Sequence, residues 1–220
     1  MKKLLTFVIL FTIIVVNAIS QEEKSSNFSA NADIYSSFIF RGSKLGTGPA
    51  FQPIVKFTTE KLTIGAWGSF DATGYSETDL FFSYNFSFGL SIGITDYYLT
   101  DLEFFDVSDT TGSQAFEINV GYTIKGLTLT GNYILNEAEG VGSKGNDMYF
   151  QTLYQFKNFN LSIGAGDGWL TTDNEFNICH VGLGTTKIIQ ITDSFSLPII
   201  GQVVFNPDQE KVFVVVGISF

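Results

Sequence analysis

This 220-residue chain has one cysteine, four prolines and one histidine, and after its first twenty residues it has no long apolar run. Each scarcity excludes something. A lone Cys179 rules out an intramolecular disulfide and any cysteine-rich metal site. Beyond residue 20 nothing approaches the roughly 18 consecutive apolar residues of a spanning helix. Basic residues are few as well: 12 Lys and Arg stand against 22 Asp and Glu. Such an acidic chain lacks the basic face that nucleic-acid phosphates require, so no nucleic-acid partner is expected. No cluster of ligating residues marks a metal, and no motif implies a cofactor. "GAGDGW" lacks the lysine and following helix of a phosphate loop, and "DTTGSQ" lacks calcium-loop spacing.

Aromatic residues and glycine are abundant: 23 Phe, 9 Tyr and 22 Gly. The opening "MKKLLTFVILFTIIVVNAIS" places Lys2 and Lys3 before an apolar run and ends in Ala18 and Ser20, the layout of a secretory signal peptide cleaved near Ser20. No cysteine follows that cut, which excludes a lipid-anchored form. The expected organisation is therefore a leader at 1–20 and one domain over 21–220.

Alternation dominates the rest. The last stretch, "KVFVVVGISF", sets Val212, Val214, Val216, Ile218 and Phe220 on one face and a mixed set on the other. Twelve such segments are predicted, at about 29–41, 49–58, 61–71, 79–87, 89–99, 114–125, 127–136, 147–157, 159–167, 176–187, 194–205 and 211–220. Their lengths suit tilted strands crossing a bilayer, which need about 9–11 residues. Tight turns such as "IKGL" and "QFKNF" alternate with longer polar connections such as "RGSKLGTGP" and "NEAEGVGSKGND". Short turns at one end and long loops at the other are the arrangement of an outer-membrane barrel. Only closure satisfies every backbone group in lipid. The fold class is thus all-β, a transmembrane antiparallel up-and-down barrel of about 12 strands, with a water-soluble barrel as the alternative. The final strand closes the ring against the first. Phe220, Ile218 and Val216 then form a terminal signal of the kind read by the outer-membrane assembly machinery.

Three stretches in the first third, "DIYSSFIFRGSKL", "PAFQPIVKF" and "LTIGAWGSFDA", carry an aromatic–Arg–Gly motif, a Pro-Ala-x-Gln motif and a Gly-x-Trp-Gly-Ser motif. Together they resemble the opening of the TorF-like porin family. "ETDLFFSYNF" and "EINVGYTIKGLTLTGNYILN" fit that family's strand order. The resemblance implies an outer-membrane barrel that acts as a porin. Outer-membrane lipid and lipopolysaccharide of a Gram-negative cell, and the assembly machinery, are the expected partners. It brings no catalytic residues.

The expected activity is passive diffusion of small hydrophilic solutes. Pore-lining or mouth candidates are Arg41, Trp67, Asp71, Asp79, Glu117, Asp147, Gln151, His180 and Lys211. Arg41 is expected to pair with Asp71 or Asp79, and Gly42 to permit a turn. Acidic residues of the long loops, among them Asp101, Glu103, Asp106, Asp109, Glu137, Glu139, Asp173 and Glu175, face few basic ones. An acidic mouth concentrates cations within a Debye length, about 8 Å at physiological salt, and implies modest cation preference. The same polar lumen side chains could instead lock together and close the barrel. Two alternatives stay open. One is a non-conducting structural or adhesive barrel. The other is a lipid-modifying enzyme, which would have to use His180 with a serine such as Ser69 and a carboxylate such as Glu117. The sequence leaves open whether residues 100–113 fold inward.

Overall fold

The computed structural model describes residues 27–220. The leader and its cleavage site lie outside the described residues. In chain order the strands are β1 (Phe28–Tyr35), β2 (Phe38–Phe40), β3 (Ser43–Leu45), β4 (Ala50–Thr58), β5 (Leu62–Asp71), β6 (Ser76–Asn85), β7 (Leu90–Leu99), β8 (Gln114–Ile124), β9 (Leu127–Ile134), β10 (Met148–Gln155), β11 (Asn160–Gly166), β12 (Asn177–Thr192), β13 (Phe195–Asn206) and β14 (Lys211–Ser219). Twelve of them close an antiparallel barrel in which each strand pairs with its neighbours in sequence and β14 returns to β1. β2 and β3 stand apart as a two-stranded hairpin.

The ring forms because the alternation is consistent from strand to strand. Phe51, Val55, Ile64, Phe82, Ile94, Ile118, Leu129, Phe150, Ile163, Leu183, Val203 and Val214 all point outward and are exposed. Their strand neighbours Gln52, Ser69, Asp79, Glu117 and Tyr149 point inward and are buried. A soluble barrel has the opposite sense, so this surface is complementary to hydrocarbon. One carboxylate breaks the outer belt. Asp96 lies between Leu80 and Phe116 on the flanking strands, and its buried Oδ1 has no hydrogen-bond partner.

The two ends differ. One carries only short turns, at 59–61, 86–89, 125–126, 156–159 and 193–194, and is the turn end. The other, the loop end, carries the connections 36–49, 72–75, 100–113, 135–147, 167–176 and 207–210. Those at 72–75 and 207–210 are tighter than the sequence suggests, because β6 begins at Ser76 and β13 runs on to Asn206. β12 and β13 overrun the turn end. Beyond Gly184 the former has no partner on β11, and before Ile199 the latter has none on β14. The result is a projecting hairpin bearing exposed Ile188, Ile191 and Phe195.

The first predicted segment needs correction. It is not one strand to Arg41, because β1 stops at Tyr35 and the chain then turns into the β2–β3 hairpin. Arg41 and Gly42 are the two central residues of that hairpin, with φ of 49° and 93°. Paired positive φ values are what a two-residue primed turn demands, and glycine adopts them without strain. Loop 100–113 packs the other way, over the outer face. The Tyr98 hydroxyl donates to the Leu102 carbonyl at 2.7 Å, the Gln114 side-chain amide donates to the Phe104 carbonyl, and Phe105 is left 89% exposed.

Candidate functional site

The β2–β3 hairpin folds into the loop-end half of the lumen, and the candidate site is built around its tip. Arg41 is the anchor. Its Nη1 and Nη2 donate to the two carboxylate oxygens of Glu117 at 2.6 and 2.7 Å. This fork-to-fork geometry gives a strong charge-assisted pair. The guanidinium also lies 4.7 Å from the ring centres of both Phe40 and Tyr149, within cation–π range. Glu117, whose side chain is 1% exposed, further accepts from the Tyr97 hydroxyl at 2.9 Å and the Asn119 amide at 2.5 Å. Arg41 therefore pairs neither with Asp71 nor with Asp79, as the sequence had suggested, but with a carboxylate from β8.

Further polar contacts complete the seat. The Asn206 side-chain amide donates to the Gly42 carbonyl at 3.1 Å, and that of Gln209 donates to the Ser43 hydroxyl at 2.9 Å. A Cβ on Gly42 would lie 1.9 Å from the Cys179 carbonyl oxygen. Trp67 faces inward and receives Phe38 at 5.4 Å between ring centres, so it is a platform for the hairpin. On the same strand, Ser69 Oγ accepts from Gln52 Nε2 at 3.1 Å. Pro53 has no N–H to give, and the β4–β5 register has no partners at Gln52 and Pro53. The Gln52–Ser69 bond spans this opening. Asp71 holds the far end of the connection, accepting from the Thr47 and Gly48 amides at 2.9 and 3.2 Å and from Thr73.

The remaining candidates are dispersed. Asp147 accepts from the Ser143 hydroxyl at 2.6 Å and lies against Gly168. Gln151 accepts from the Tyr149 hydroxyl at 2.7 Å. Lys211 opens β14 at the loop end, exposed, opposite Asn206. His180 faces inward from the fourth position of β12, beside the hairpin tip at Gly42. A bulge at Cys179, where Gly164 pairs with His180 but Ala165 with Ile178, turns both Cys179 and His180 toward the lumen. His180 Nε2 is 2.8 Å from Ser162 Oγ, while its Nδ1 is buried without a partner. Ser69 and Glu117, the partners suggested for it, are engaged elsewhere. A nucleophile–base pair needs a third group to orient the imidazole, and the described residues supply no acceptor at Nδ1.

Cavities lie on both sides of the hairpin. Toward the loop end, a space of about 320 Å³ is lined by Phe40, Tyr75, Glu77, Tyr97, Trp169 and Leu170, among others. On the other side, about 180 Å³ is bounded by Tyr35, Phe38, Gln52 and Gln202, and a further 220 Å³ by Gln151, Ser162, His180 and Gln202. Phe40 faces the first space and Phe38 the second, so the hairpin divides them. Two more loops narrow the loop-end half: Ala138 packs with Tyr97, Ala115 and Ile134, and Trp169 packs against them from a short 3-10 turn at Gly168–Leu170. The sequence pattern alone missed Trp169, Phe40 and Tyr97, because nothing in it shows which aromatics meet.

No family model matches the chain, so the resemblance to TorF-like porins rests on the three motifs alone. No curated protein matches it either. Nine chains of solved structures do. One is from the crystal structure of Acinetobacter baumannii OccAB3, at 10% identity and a TM-score of 0.36, with 90% of this chain and 65% of that chain covered. The chain therefore spans less than two thirds of that protein's length.

Proposed function

We propose that this protein is an outer-membrane, porin-like channel for passive diffusion of small hydrophilic solutes, narrowed by the β2–β3 hairpin. The observation that carries the reading is the sidedness of the closed barrel, apolar outside and polar inside, with cavities on both sides of one inward hairpin. Twelve strands lie between the eight that side chains can fill and the sixteen that leave an aqueous channel. An inserted hairpin at that diameter makes an eyelet. On this reading the loop end faces the exterior, the leader directs export, and the TorF-like motifs mark the family.

Modest cation preference belongs to the same proposal. Glu77, Asp79 and Asp147 are buried in the loop-end half, and Arg41 at the hairpin tip is neutralised by Glu117. Negative charge in a constricted, low-dielectric passage favours cations and repels anions. The test is single-channel recording of the refolded protein in a planar bilayer with unequal KCl on the two sides. Discrete steps with a cation-selective reversal potential are expected. Anion selectivity would overturn the charge argument but keep the pore. The extent to which the loops fill the lumen favours a second reading, a non-conducting barrel, and a folded protein without steps would select it.

A further inference from the structure

We infer that the loop-end cavity above the hairpin is a binding site for a small organic ammonium compound, an inference that rests on the channel reading for its place in transport. At about 320 Å³ the cavity is at the lower end of small-molecule sites, which run to about 1,000 Å³. Three of its walls are aromatic and meet edge to face. Phe40 and Tyr97 are 5.7 Å apart, Tyr97 and Trp169 5.7 Å, and Phe40 and Trp169 6.3 Å. Aromatic walls around a desolvated space attract a cation through their ring faces, and they recognise quaternary ammonium groups in particular.

The charges agree. Glu77 lines the cavity and is 6% exposed, with the Tyr75 hydroxyl donating to its Oε2 at 2.9 Å. Burial and the Glu77 carboxylate push the Tyr75 phenol up, which keeps it a donor. Asp79, one step deeper on the same face, is 7% exposed, and its Oδ1 has no hydrogen-bond partner. Among the described residues no basic group lies within 4 Å of either carboxylate; Arg41 is committed to Glu117. A buried carboxylate ordinarily has a cation beside it, as Glu117 does here. Glu77 has a cavity beside it instead, with Asp79 behind it on the same face of β6. Trp169, on the opposite wall, has a buried Nε1 with no acceptor. The occupant that answers all three features has a compact cationic head, an apolar surface and one acceptor oxygen.

The probe is choline, which has these features, set against its uncharged carbon isostere 3,3-dimethyl-1-butanol. Isothermal titration calorimetry of the refolded barrel in detergent needs no conduction. Saturable choline binding is expected, at least about tenfold tighter than that of the isostere. Glu77→Gln should weaken choline at least about tenfold while leaving the isostere unchanged, and Trp169→Phe should weaken it less. Circular dichroism checks that each variant keeps its strand content, and Trp169→Phe serves if Glu77→Gln does not refold. Equal binding of choline and isostere, or no saturable heat with choline, overturns the inference. A barrel that conducts without binding choline keeps the channel and loses the site. One that binds but never conducts keeps the site and loses the channel.

Discussion

At the scale of single residues, most of the site's architecture depends on Arg41. Removing one partner of a buried, hydrogen-bonded ion pair costs about 3–5 kcal/mol, because the other charge is left uncompensated. Arg41→Ala should therefore lower stability by about that amount, read from the urea midpoint of the refolded barrel. Arg41→Ala with Glu117→Ala should cost clearly less than the two single changes added, because the second change removes the stranded carboxylate. Additive losses would mean that the pair is solvated and contributes little. Arg41→Lys is not a conservative change here, since an ammonium offers neither the planar fork nor the stacking on Phe40 and Tyr149. None of this was legible in the sequence, where Arg41 and Glu117 are 76 residues apart with Asp71 and Asp79 nearer to hand. Lumen parity could be read for Arg41, Trp67 and Glu117. Their partners could not, because alternation gives a residue's face but not its height or its neighbours across the barrel.

At the scale of elements, the hairpin was hidden by its own regularity. "FIFRGSKL" alternates as a membrane strand does, so the first segment reads as running through Arg41. The hint was Arg-Gly, which sets up the primed turn. The three motifs of the first third share a physical role: they build and seat this element. The aromatic–Arg–Gly motif is the tip, Trp67 of the third is the platform for Phe38, and Gln52 of the second joins Ser69 of the third across the gap at Pro53. If the hairpin is the constriction, replacing residues 37–46 by a short Gly-Ser linker should raise single-channel conductance severalfold with strand content retained. Gly42→Ala should move conductance in the same direction, since an added methyl would meet the Cys179 carbonyl and the left-handed backbone would be strained. Unchanged conductance in both variants would mean that ions pass elsewhere. The overrun of β12 and β13 was similarly unreadable, because "IIQIT" holds no glycine or proline to mark a stop.

At the scale of the whole molecule, the twelve-fold ring was the most legible feature, since each strand repeats the same two-residue period and closure follows from lipid chemistry. Closure, however, is uneven. β1 matches β4 over eight partner pairs, from Phe28–Phe57 to Tyr35–Ala50, but meets β14 over only three, Asp33–Ser219, Ile34–Ile218 and Tyr35–Gly217. Two bonds between Ala32 and Phe220, at 3.3 and 2.9 Å, extend that seam at one end, and Ser36 with Val216 extends it at the other. With no disulfide to hold the ring, opening costs least where the ladder is shortest, so the β1–β14 seam should part first. Because Ala32 and Phe220 exchange both backbone bonds, Asp33 and Ser219 form a non-hydrogen-bonded pair, in which Cα atoms approach to about 4.5 Å, within disulfide range. The double variant Asp33→Cys/Ser219→Cys, once oxidised, should gain about 2–4 kcal/mol and unfold at a temperature several degrees above its reduced form. Buried Cys179 is no competitor for the cross-link. If the oxidised and reduced proteins unfold together with the cross-link verified by mass, opening begins at another pair of strands, and the short seam does not govern the barrel's stability.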